Sequence, residues 1–68
     1  MAFTTETAAY TEDLLRQNVA QEGSETDPLA SQIADLVANL LLLLPDDETA
    51  DEVADLAVQF ATEERAGL

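Results

Sequence analysis

The sequence predicts an all-α fold: a small three-helix bundle in up-down-up order, oligomeric or built into a larger assembly. Three observations predict it. Apolar residues recur at helical spacing in three segments, and two breaks, around Gly23–Pro28 and at Pro45, separate those segments. The apolar side chains are mostly aliphatic: eleven Leu and twelve Ala stand against Phe3, Tyr10 and Phe60 as the sole aromatics. Such a composition suits packed helices better than a sheet, which favours β-branched and aromatic residues. The 68 residues allow one domain, 1–68, because domains usually run to about 100–200 residues. Short loops and the absence of an internal repeat fit that reading.

The first helix is expected over 5–22. Phe3, Thr7, Tyr10 and Leu14 recur at intervals of four, three and four, with Ala8, Leu15 and Val19 beside them. Glu12, Asp13, Arg16, Gln17 and Ala20 fill the other half of the wheel, which makes the helix amphipathic with a broad buried face. Thr4 or Thr5 is placed to cap it, Glu6 suits its first turn, and Gly23 ends it.

A second helix is expected over 28–44, with Asp27 as N-cap and Pro28 at the first helical position. Leu29, Ile33, Leu36, Val37, Leu40, Leu41 and Leu44 form its apolar arc. Ser31, Gln32, Asp35 and Asn39 form a narrow polar strip, expected to face water. The third helix is expected over 48–65, entered through Pro45-Asp46-Asp47-Glu48. Thr49-Ala50-Asp51-Glu52 has the capping-box pattern, and Asp46 or Asp47 is placed to cap one turn earlier. Val53, Leu56, Ala57, Phe60 and Ala61 line one face, Asp51, Asp55, Gln59 and Thr62 the other, and Gly67 is a natural stop.

Charge is the most unusual property. Fifteen Asp and Glu against two Arg give −13, whereas a small domain carries about 2–8 in magnitude. Such a surface repels itself in dilute buffer, but at 1 M salt the screening length falls to about 3 Å. A lysine-free surface rich in Asp, Glu, Ala and Thr has the composition of halophile cytoplasmic proteins, so a halophilic source is expected. A basic patch is missing, so direct nucleic-acid binding is not expected. Anionic membranes repel the chain. A positive n-region followed by an apolar h-region is also missing, which leaves a cytoplasmic location as the default expectation.

Two surfaces are candidates for function. Leu40-Leu41-Leu42-Leu43-Leu44 covers every direction of a continuous helix, so the five cannot all enter one core. Leu42 falls with Ser31 and Asp35 on the polar side. Leu40, Leu42 and Leu43 are therefore the candidate interface for a protein partner or for self-association. The run is far short of the ~20 residues of a membrane span. The alternative site is the acidic patch Asp47, Glu48, Asp51, Glu52 and Asp55, whose i, i+4 carboxylates stand about 5–6 Å apart. Such rows can imitate a phosphate backbone, or neutralise a basic protein as an antitoxin does.

Catalysis is not expected. The chain has no His, Lys or Cys to serve as base or nucleophile, and Ser24 and Ser31 have nothing to activate them. The acidic patch lacks the Gly and Glu positions of an EF-hand loop, so neither a metal nor a cofactor is expected. Neither serine sits in the Asp-Ser-Leu attachment site of acyl carrier proteins. The expected function is that of a non-enzymatic accessory subunit, in a cell or a virus particle, that binds protein through apolar surface at the end of the second helix. The alternative is an inhibitor that mimics nucleic acid or acts like an antitoxin on a basic DNA- or RNA-binding protein.

Overall fold

In the computed structural model the described residues are 4–67, with Thr5 described by its backbone only. They form three helices: α1 (Thr5–Glu22), α2 (Leu29–Leu41) and α3 (Asp47–Arg65). Phe3, expected on the apolar face of the first helix, lies outside the described residues.

Local chemistry accounts for the ends. Thr4 caps α1, its Oγ1 accepting from the Thr7 N–H at 3.2 Å. Gly23 closes α1 in the left-handed region (φ 69°), where a side chain would strain the backbone, and donates to the Val19 carbonyl. Asp46 caps α3, accepting from the Thr49 N–H at 2.7 Å. It does so one turn ahead of the Thr49–Glu52 pattern. Gly67, also left-handed, follows the last turn.

The ends of α2 differ from expectation. Pro28 itself occupies the N-cap position, with no side-chain cap, and the Asp27 N–H donates to the Ser24 carbonyl at 3.0 Å within the preceding turn. At the other end α2 stops at Leu41, three residues short of the expected Leu44. Leu43 and Leu44 donate to Leu40 and Leu41 in tighter i→i−3 turns. Pro45 explains this, since a residue before proline is driven out of the helical region and the chain unwinds ahead of it. The five leucines therefore do not share one helix.

α2 packs against α1 and against α3, while α1 and α3 make no contact among the described residues. The chain spans 35 × 33 × 18 Å with a radius of gyration of 13.1 Å. A compact chain of this length has about 11 Å. Its accessible surface is 5520 Å², against about 4,200 Å² for a compact monomer of 7.3 kDa. Among the described residues no apolar side chain is fully buried.

The α1–α2 contact reverses the expected orientation of the polar strip. Gln32, Asp35, Leu36 and Asn39 recur at intervals of three, one and three, and all four are half-buried. Asn39 Nδ2 donates to Asn18 Oδ1 at 2.7 Å and to Glu22 Oε1 at 3.0 Å across the two helices. Gln32 Nε2 donates to the Ser24 carbonyl at 3.0 Å. Of the expected strip only Ser31 faces water. Amides that find partners on α1 and on the loop after it favour this face, because an amide buried without a hydrogen bond is costly.

Candidate functional site

Turning the polar strip towards α1 leaves the apolar arc of α2 without cover. Leu29, Ile33, Val37 and Leu40 are between 40% and 62% exposed. They lie on one side of the helix, about 110° around the wheel from the face that meets α1. Leu42 and Leu43 follow in the turn and are 80% and 81% exposed. Leu41 and Leu44, between and after them, are half-buried. The candidate residues Leu40, Leu42 and Leu43 thus all stand at the surface, Leu40 within the arc of α2 and Leu42 and Leu43 in the turn beyond it.

Leu29, Ile33 and Val37, placed by the sequence on the apolar arc of the second helix, belong to this surface too. The signal for it was present in the spacing. Leu29, Ile33, Leu36, Leu40 and Leu43 recur at intervals of four, three, four and three, the a/d rhythm of helices that pack on another helix. The sequence does not say which helix that is.

The apolar side of α3 is also open. Val53, Leu56 and Phe60, expected to line one face, are exposed, and Val58 is more so, while Ala50 and Ala54 are half-buried. On α1, Ala8, Leu14, Leu15 and Val19 are half-buried as their spacing predicts, but Thr7 and Tyr10 are exposed.

Charge is kept away from the apolar arc. Between Pro28 and Pro45 the one ionisable side chain is Asp35, on the side of α2 towards α1. The acidic patch sits on the opposite chain end of the tight turn, where Asp47, Glu48, Asp51, Glu52 and Asp55 are all exposed on the first half of α3. Asp47 and Glu48 face the positive end of the helix dipole. Asp46 is held below the usual carboxylate range by the Thr49 N–H, and further by the Thr49 side chain. Asp47, Asp51 and Asp55 form a row about 12 Å long at 1.5 Å per residue. At 3.4 Å per step that row matches three or four phosphates of one strand. Among the described residues no group of three acidic side chains converges to hold a cation.

Other features are weaker. Arg16 pairs with Asp13 at 3.3 Å and Glu12 at 3.8 Å on the open surface, where such pairs contribute little. An open depression of about 320 Å³ lies among Leu15, Arg16, Val19, Ala20, Glu25 and Gln32, with no nucleophile–base pair in it. Ser24, 5% exposed, is the sole buried residue among those described, and its Oγ has no partner. Among the described residues no helix is long and apolar enough to cross a membrane. No family model matches this chain, and no curated protein or solved structure shows significant similarity to it.

Proposed function

We propose that this chain is a non-enzymatic interaction module: an accessory or assembly subunit whose three helices, in up-down-up order, work as an oligomer or as part of a larger assembly. It binds protein through apolar surface at the end of α2, formed by Leu40, Leu42 and Leu43, together with the exposed Leu29, Ile33 and Val37 of the same helix. One observation carries the reading: among the described residues every large apolar side chain keeps contact with water, although 47% of the chain is hydrophobic. Exposed apolar surface on this scale marks an interaction site, because a soluble monomer rarely tolerates it. The −13 charge then serves solubility in a salt-rich cytoplasm, where screening removes its self-repulsion.

The test is Leu42→Glu in molar KCl, read by sedimentation velocity, dye binding and circular dichroism. The variant keeps its helices, because Leu42 is 80% exposed, and loses association or binding of an apolar dye. Loss of the helices instead would make Leu42 a core residue and remove the basis of the reading. Charge reversal at Asp51 and Asp55 is the control, and it leaves association intact. The nucleic-acid-mimic or antitoxin-like alternative requires the opposite pattern: indifference to Leu42→Glu and loss of binding on charge reversal. A carboxylate row of about 12 Å gives that alternative little to work with.

A further inference from the structure

We infer that the occupant of the exposed arc on α2 is a second copy of this chain, seated α2 against α2 about a two-fold axis. The inference rests on the interaction-module reading and names the partner of the same surface.

Area is the first argument. Two separate copies expose about 11,000 Å², twice the 5520 Å² of one. A compact body of their joint mass exposes about 6,900 Å². Restoring ordinary compactness therefore requires burying about 4,100 Å² in total, within the roughly 2,000–5,000 Å² of obligate homodimers. Self-complementarity is the second. Leu29, Ile33, Val37 and Leu40 carry the four-four-three spacing of one helix face about 17 Å long. A two-fold interface sets one patch against itself, so that patch must bear no net charge. On a chain of −13, α2 meets this condition: its one carboxylate, Asp35, is half-buried on the α1 side. Helix stability is the third. A 13-residue helix is marginal in water alone, and most helical stability comes from packing an apolar face. The face of α2 that meets α1 is largely polar, and the contact with α3 leaves Leu29, Ile33, Val37 and Leu40 exposed, so that apolar face gains its packing from outside the chain.

The test is sedimentation equilibrium of the full chain in 2 M KCl, with thermal melts at two concentrations a hundredfold apart. The expected mass is twice 7.3 kDa, and the melting temperature rises with concentration by about 9 °C, from the mass-action term spread over the unfolding entropy of two chains. The chain has no cysteine, so Leu29→Cys, Ile33→Cys, Val37→Cys and Leu40→Cys, introduced singly, report on the seam. At least one forms an intermolecular disulfide on oxidation, and Ser31→Cys, on the far side of α2, forms none. A mass of 7.3 kDa with helices intact and apolar dye bound would overturn the second copy and leave a different protein partner in place. The same mass with no dye bound would overturn both. A trimer or larger species would overturn the two-fold pairing.

Discussion

Replacing Asn39 by Ala separates the observed packing from the orientation that hydrophobic patterning favours. Asn39 donates to Asn18 at 2.7 Å and to Glu22 at 3.0 Å, and these bonds hold α2 to α1 through its polar side. The substitution removes both. Asn18 Nδ2 already has no partner, so its amide would be left in the contact with neither end bonded. Stranding a buried polar group costs about 1–3 kcal/mol, and Asn-to-Ala at a helix interior returns roughly 0.5 kcal/mol of propensity. The net expectation is a loss of about 1–2 kcal/mol. In a chain of this size that is a drop of roughly 4–15 °C in melting temperature. The assay is thermal unfolding followed by circular dichroism at fixed protein concentration in 2 M KCl, because linkage to association would otherwise move the midpoint. If α2 instead turned its arc Leu29, Ile33, Val37 and Leu40 towards α1, Asn39 would point to water. The substitution would then stabilise through propensity alone. An unchanged or raised melting temperature would therefore refute the polar α1–α2 contact and, with it, the exposure of the arc.

Two further outcomes follow from the charge distribution. Far-UV circular dichroism between 0.1 M and 3 M KCl should show helix content rising with salt as the screening length falls from about 10 Å towards 3 Å and below. Full helicity at 0.1 M, unchanged by salt, would mean that the −13 surface needs no such help. The Asp46 carboxyl is depressed in the folded chain by the Thr49 N–H, so its contribution is present above the unfolded value near 3.8 and is lost as pH falls through the lower folded value. Asp46→Asn keeps an acceptor for the Thr49 N–H and should preserve α3 while removing this part of the acid sensitivity. Asp46→Ala should fray the start of α3 at neutral pH, and equal helix content in both variants would show that the cap contributes nothing.

Much of the architecture was legible in the sequence because helix ends are local chemistry. Thr4, Gly23, Asp46 and Gly67 act within a few residues of themselves, through a hydroxyl or carboxylate that accepts an orphan N–H or a backbone that tolerates positive φ. Where two local signals compete, the helix ends differ from the pattern. Asp27 followed by Pro28 resembles a capped start, but the helix begins one residue later, with Pro28 in the N-cap position and no side chain there to cap it. Five leucines resemble continued helix, but Pro45 acts backward on the residues before it.

The faces were less legible than the ends. Periodicity established that α2 has an apolar arc and a polar strip, and the acid-free stretch from Pro28 to Pro45 apart from Asp35 was plain from the letters alone. What covers each face is a relation between elements distant in the chain, and only the tertiary structure decided it. Asn18 and Asn39 are 21 residues apart, and nothing in either segment announces the other. Their amides bond across α1 and α2, and that bond turns the strip inward and leaves Leu29, Ile33, Val37 and Leu40 in water. A hydrophobic pattern ranks faces by their wish to leave water. A buried amide demands a specific partner at a specific distance, and here that directional demand set the rotation of α2.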